Sequence, residues 1–214
     1  MSKSIQAIHL GIPREIEHGS KIIKTSIFKE PTENVVSIHS TGINGDTQAD
    51  LIHHGGVDKA ICAYPYEHYS FWENKLSQDV GSSAFGENLT LIGWLEKDVH
   101  IGDVFELGSA IIQVSQPRHP CFKLGLKHKQ PKIPLWVKET GFSGYYFRVV
   151  KEGEASLANE LIRIEKRSEH PTIMEVNECR HNPHATKGQL EAMVEIKELA
   201  LEWQDAFRKK LTTM

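Results

Sequence analysis

Cysteine is scarce in this chain: Cys62, Cys121 and Cys179 are the only three in 214 residues, an odd and widely spaced set. A disulfide framework is therefore not expected, and a reducing cytoplasm is the natural compartment. No Cys-x-x-Cys occurs, which argues against a zinc ribbon or an iron–sulfur cluster held by this chain. Long apolar runs are missing as well. The longest span about five residues, against roughly 18 for a bilayer-crossing helix, so no transmembrane segment is expected. The first ten residues lack an apolar stretch followed by a small-residue cleavage site, so a secretory leader is not expected. Nor is there an excess of positive charge. Lys and Arg total 25 and Asp and Glu 28, a net charge of −3, so nothing marks a partner of nucleic acid or of a membrane surface. No Gly-x-Gly-x-x-Gly lies on a strand-to-helix turn and the Walker spacing is absent, so neither a dinucleotide fold nor a phosphate-binding loop of that kind is indicated.

What is present reads as a folded chain, with 39% hydrophobic and 25% charged residues. Fourteen of the 16 glycines lie at or before Gly144, and only Gly188 follows Gly153. The chain accordingly divides into a β-rich part, residues 1–166, and a helical part, residues 167–214. In the first, Ser4–Leu10, Ile22–Phe28, Val35–Ile38 and Ala60–Tyr64 read as strands. Asp103–Leu107 and Ala110–Ser115 around Gly108-Ser109 form the clearest hairpin, and Tyr145–Val150 with Leu161–Glu165 read as a later pair. Helical inserts are expected near Tyr66–Leu76 and Pro134–Thr140. Many short strands at close spacing predict a mainly β fold, a barrel or sandwich with a few inserted helices, and not a doubly wound sheet. After Lys166, Thr172-Ile173-Met174-Glu175 and Thr186-Lys187-Gly188-Gln189 are capping boxes. The second precedes an apolar row, Met193, Ile196, Ala200, Trp203, Phe207 and Leu211, at helical steps. Two or three helices result, which either cover a barrel edge or serve as a lid, dimer arm or docking face.

Four clusters carry possible chemistry. Thr41-Gly42-Ile43-Asn44-Gly45-Asp46 is a tight turn or an anion nest. In His53-His54-Gly55-Gly56-Val57-Asp58-Lys59-Ala60 the glycines permit close backbone approach, and the imidazoles and Lys59 suit a phosphate or an electron-rich heterocycle. Adjacent histidines on an extended strand point to opposite faces, which disfavours one metal shared by His53 and His54. Phe85-Gly86-Glu87-Asn88-Leu89 is a turn offering carboxylate and amide groups, or an Asn88 that bonds its own loop. The sharpest is Ser115-Gln116-Pro117-Arg118-His119-Pro120-Cys121-Phe122-Lys123. Its prolines stiffen the loop and end a strand. Arg118, His119, Lys123 and a helix start at Cys121 favour the thiolate, which is nucleophilic and a soft-metal ligand. Cys62 and Cys179 read instead as small buried hydrophobes.

His54-Gly55-Gly56, Lys59-Ala60, Tyr64-Pro65, Phe85-Gly86-Glu87-Asn88-Leu89 and Pro117-Arg118-x-Pro120-Cys121, in this order, resemble MOSC domains, named for the C-terminal domain of molybdenum-cofactor sulfurase. The likeness covers roughly residues 35–165. The helical tail resembles the three-helix extension of a bacterial branch linked to resistance against 6-N-hydroxylaminopurine. The resemblance implies a β-barrel that binds a molybdopterin-type cofactor, with Cys121 as the molybdenum ligand and catalytic residue. It places His54, Gly55, Gly56, Lys59, Asn88 and Arg118 around that cofactor. It further implies reduction of N-hydroxylated bases and carries no expectation of pyridoxal phosphate; by their own chemistry His119 or Glu87 are the candidate proton donors. With no cluster of its own, such a reductase needs a separate electron-donor protein, a flavin or iron–sulfur partner. The alternatives are a sulfur-transfer protein bearing a Cys121 persulfide and a carrier of the cofactor without catalysis.

Overall fold

The computed structural model describes residues 3–50 and 55–214. The chain opens with β1 (Ser4–Leu10), the hairpin β2 (Arg14–His18) and β3 (Lys21–Thr25), then β4 (Glu30–Thr32), β5 (Val36–His39) and β6 (Gly42–Ile43). A 3-10 turn, Val57–Lys59, leads into β7 (Ile61–Pro65), and a second, Tyr66–His68, follows it. Next come α1 (Tyr69–Leu76), β8 (Leu89–Ile92), β9 (Val104–Leu107) and β10 (Ala110–Pro117). Two short helices, α2 (Phe122–Lys127) and α3 (Ile133–Thr140), precede β11 (Tyr145–Lys151), β12 (Gly153–Ala155) and β13 (Leu161–Glu165). The tail holds α4 (Ile173–His181), α5 (Lys187–Val194) and α6 (Leu201–Leu211).

Eight strands form one sheet in the order β13-β9-β10-β11-β7-β8-β1-β4, which curls into a half-barrel. A three-stranded sheet, β12-β5-β6, packs across it, and the two share one apolar core. Ile8, Leu91, Phe105, Ile112 and Phe147 meet Val36, Ile38 and Ile43 there. Parallel strands cannot be joined by a tight turn. The one parallel pair among the described residues, β7 with β8, is accordingly bridged by a crossover that contains α1. The β9–β10 turn needs glycine: Gly108 has φ of +61°, and a Cβ there would lie 2.1 Å from the Glu154 carbonyl of β12.

The expected β-barrel architecture with inserted helices is present, with two differences in detail. Tyr145–Val150 and Leu161–Glu165 do not pair with each other. β13 pairs with β9 and β11 with β10, so the β9–β10 hairpin lies between them. The tail's apolar row is not one helix. α5 ends at Val194 and α6 starts at Leu201, with Ile196, Leu199 and Ala200 buried in the connection. The Ala200 N–H donates to the Ser115 carbonyl of β10 at 3.0 Å, a bond that a continuous helix would forgo. Both capping boxes are formed, Thr172 with Glu175 and Thr186 with Gln189. Ile173, Val176, Leu190, Trp203 and Phe207 of the tail join the barrel's own core cluster. Among the described residues no helix is long and apolar enough to cross a membrane.

Candidate functional site

The loop after β10 is fixed from below by a buried carboxylate. Glu96, fully buried, accepts the Gly144 N–H at 2.8 Å and pairs with His68 at 2.7 Å. His68 in turn stacks on Phe142, with ring centroids 3.8 Å apart. Gly144 then offers its carbonyl to the Arg118 N–H at 3.0 Å. Only glycine fits there: φ is +68°, and a Cβ would lie 2.4 Å from the Ala63 carbonyl. One residue chain, His68–Glu96–Gly144, thus sets where Arg118 leaves the sheet. Three residues later Cys121, in extended conformation, caps α2 and is half-buried.

Cys121 lies where two compartments meet. A narrow inner arm is lined by Ser26, Lys29, Cys62, Asn88, Arg118 and Tyr146. An outer chamber of about 540 Å³ is lined by Gln116, His119, Phe122, Arg180, Glu202 and Trp203. Lys59, Cys121, Lys123 and Tyr146 line both.

In the inner arm Arg118 is 7% exposed, and its buried Nη1 has no hydrogen-bond partner. The guanidinium stands against the Tyr146 hydroxyl, which also contacts the Cys62 thiol. Ser26 Oγ, on the same arm, is likewise buried and unpartnered. A buried donor without an acceptor costs about 1–3 kcal/mol, so these atoms suit a ligand that carries acceptors. Cys62 is no mere space-filler: it faces the arm. Burial pushes its thiol up to about 11, however, so it stays protonated near neutral pH.

The other expected site residues are placed as follows. Lys59 ends the 3-10 turn that Gly56 caps at φ of +105°, with Gly55 just before it, and its Nζ pairs with Glu202 Oε2 at 2.6 Å. Asn88 lines the inner arm, but its amide ties strands together: Oδ1 accepts the Cys62 N–H at 3.1 Å, and Nδ2 donates to the His9 carbonyl at 3.3 Å. His53 and His54 lie outside the described residues. Glu87 is fully buried and accepts from the Tyr69 hydroxyl, the Thr90 hydroxyl at 2.9 Å and the Phe85 N–H at 2.9 Å. The Thr41–Asp46 segment holds β6 and the turn after it, and its Asp46 carboxylate holds the Gly11 N–H and Lys29.

The contributors from far along the chain carry no local signal in the sequence. Glu202 of α6 accepts from Lys59 and, through Oε1, from Gln116 at 2.8 Å, binding the tail to the cleft. Tyr146 shows only as a strand aromatic, and Arg180 only as a helix charge. The chamber's His119 ring sits 6.5 Å from that of His181, and burial lowers the pKa of both. The His181 imidazole, lowered to about 4, is therefore neutral near pH 7.

Chemically the site offers one accessible sulfur, several cations and a cleft open to solvent. Among the described residues no group of three His, Cys, Asp or Glu could hold a metal ion unaided. A soft metal at Cys121 would thus arrive with most of its ligands already attached.

The MOSC domain profile matches residues 50–165. An uncharacterized protein, YflK, of Bacillus subtilis is 40% identical over 207 residues, covering 97% of this chain and 94% of that protein. A protein named reductase from Gibberella moniliformis is 34% identical over 148 residues, 67% of this chain but 26% of the fungal protein. The crystal structure of YiiM from Geobacillus stearothermophilus superposes with a TM-score of 0.84 at 33% identity, covering 98% of this chain and all of that one. Motif order, half-barrel, cleft and these similarities agree, and the chain belongs to the MOSC domain family.

Proposed function

We propose that this protein is a molybdenum-cofactor-dependent reductase of N-hydroxylated compounds such as 6-N-hydroxylaminopurine, with Cys121 as the protein's ligand to molybdenum. The observation that carries the proposal is the unpaired, buried Arg118 Nη1 in the arm that opens onto Cys121. A cofactor with a phosphate and a hydrogen-bonding heterocycle supplies the acceptors that Arg118 and Ser26 lack. Lys123 lines both compartments and adds charge of the right sign, Lys29 and Lys59 being ion-paired with Asp46 and Glu202, and Cys121 adds the one accessible sulfur. The residues present therefore fit the group. The family and the name of the fungal relative support the reductase class.

When bound, the molybdenum group would supply a centre that accepts electrons singly and passes them on as a pair. The chain's own residues do the rest. The overall change is R–NHOH + 2 e⁻ + 2 H⁺ → R–NH₂ + H₂O: the N–O bond breaks and the oxygen leaves as water. Arg118 and Lys123 hold the anionic end of the cofactor, and Tyr146 keeps the guanidinium in place. Asn88 positions the floor of the arm by spanning β1 and β7. His119 lines the outer chamber with its pKa lowered by burial, so the two protons are drawn from solvent at the chamber and not held on that ring, and Glu87 is committed to Tyr69, Thr90 and Phe85. With three scattered cysteines, the chain needs a separate flavin or iron–sulfur protein as electron donor.

The test uses protein isolated from a host that makes molybdopterin. It is expected to contain molybdenum and to convert 6-N-hydroxylaminopurine to adenine with reduced viologen. With NADH or NADPH alone, turnover should match the protein-free blank. Molybdenum without turnover from any donor favours the carrier function. A sulfane-sulfur adduct on Cys121 without molybdenum favours sulfur transfer.

A further inference from the structure

The outer chamber has a wall that the barrel does not supply. Arg180 comes from α4, and Glu202 and Trp203 from α6, all beyond the residues that match the MOSC profile. The Arg180 guanidinium lies over the Trp203 indole, 4.6 Å from the ring centroid, which orients its plane. Its Nη1 is buried and has no hydrogen-bond partner. Glu202, the carboxylate that acts on Arg180, is engaged elsewhere, by Lys59 at 2.6 Å and by Gln116 at 2.8 Å. The chamber's charged lining comprises Lys59, Lys123 and Arg180 against Asp50 and Glu202, an excess of one positive charge. The nearby histidines register the same field. Burial first, and then the charges of Lys138 and Arg180, lower the pKa of His119 and take that of His181 down to about 4. A half-buried, oriented guanidinium with one unused donor is built for an acceptor that the protein does not contain.

We infer that the outer chamber is the substrate compartment and that Arg180 grips a phosphate on the substrate, so that the preferred N-hydroxylated compound is a nucleotide and not a free base. The identity of the ring rests on the proposed reductase function, and the anion rests on the chamber alone. A guanidinium offers two parallel donors that match the charged oxygens of a phosphate, whereas a neutral base or nucleoside offers only single uncharged acceptors. The tail would then set specificity while the barrel carries the cofactor. The cofactor carries a phosphate too, and the two sources are separated by asking what each arginine retains.

The experiment titrates the cofactor-loaded full chain by calorimetry with adenosine 5′-monophosphate, the product form of such a substrate, and with adenosine. Wild type should bind the nucleotide about ten- to a hundredfold more tightly, the worth of one charge-assisted contact. Arg180→Gln should lose that advantage, and Arg180→Lys should keep part of it, with unchanged thermal unfolding certifying the fold. Molybdenum content should be equal in wild type and Arg180→Gln. Equal affinity for nucleotide and nucleoside in wild type, or a preference that survives Arg180→Gln, would overturn the inference. Molybdenum lost on Arg180→Gln would overturn it as well, by giving Arg180 to the cofactor. A protein that lacks molybdenum yet prefers the nucleotide through Arg180 would leave this site standing and remove the reductase function. Turnover of 6-N-hydroxylaminopurine without nucleotide preference would do the reverse.

Discussion

Replacing Arg118 by methionine should move stability and cofactor retention in opposite directions. Methionine preserves much of the side chain's length and packing but removes every donor and the charge. In the cofactor-free protein, Nη1 is a buried donor without an acceptor, a cost of about 1–3 kcal/mol that the substitution lifts. The contact with the Tyr146 hydroxyl is lost in exchange, worth about 1 kcal/mol. The backbone bond from Arg118 to the Gly144 carbonyl is untouched by a side-chain change. The net effect on the cofactor-free chain lies between zero and about 2 kcal/mol of stabilisation. For a chain of this size that is a rise in Tm of up to about 8 °C. Cofactor affinity should fall by about ten- to a hundredfold, because a charge-assisted contact with the phosphate disappears. Scanning calorimetry of the cofactor-free proteins, paired with molybdenum analysis of the loaded ones, reads both effects. A cofactor-free Arg118→Met protein that melts several degrees below wild type, yet retains full molybdenum, would refute the reasoning: the guanidinium would then be a structural group.

The thiols should separate by reactivity. At pH 8 iodoacetamide should label Cys121 and spare Cys62, whose buried thiol is pushed up to about 11 and is almost wholly protonated there; peptide mapping showing Cys62 alkylated in the folded protein would contradict this. Cys179, also pushed up by burial, should react more slowly than Cys121. Acid should weaken the fold through His181. Its folded pKa, lowered to about 4 by burial and then by Lys138 and Arg180, lies below the ordinary 6.5, so the unfolded chain binds the proton more readily. That stability is fully present above about pH 6.5 and is lost as pH falls towards 4. It amounts to about 1–2 kcal/mol after allowance for screening of a half-exposed ring. Denaturant unfolding at pH 7 and pH 4.5 should show the loss in wild type and a smaller one in His181→Gln; equal losses would remove His181 from the effect.

Local signals in the sequence translated directly into structure. Both capping boxes are reciprocal bonds within four residues, and both are formed. The β9–β10 hairpin follows from its glycine turn, and α2 starts where Pro120 and Cys121 suggest. Signals that depend on distant partners were invisible. Nothing in Tyr145–Val150 or Leu161–Glu165 reveals that another hairpin sits between them. The helix break after Val194 has no proline or glycine to mark it, because it is produced by the Ser115 carbonyl and the burial of Ile196 and Leu199. The site divides in the same way. Cys121, Arg118 and Lys59 stood out through their proline, glycine and charge neighbours, whereas Asn88 gave no hint that its amide would be spent on strands. Glu202 and Arg180 look like any solvent-facing helix charge, since what distinguishes them, Lys59, Gln116 and Trp203, lies elsewhere in the chain or one turn of another helix away.

The central claim is that molybdenum sits on the Cys121 sulfur. X-ray absorption at the molybdenum edge, on protein loaded in a molybdopterin-producing host, counts the sulfurs around the metal with and without that side chain. Cys121→Ser replaces a soft thiolate by a hydroxyl that is not ionised near neutral pH and barely changes the size of the residue. Wild type should show one more sulfur neighbour than Cys121→Ser, and the variant should form no adenine from 6-N-hydroxylaminopurine with reduced viologen. The same number of sulfur neighbours in both proteins, with molybdenum bound in each, would contradict the account.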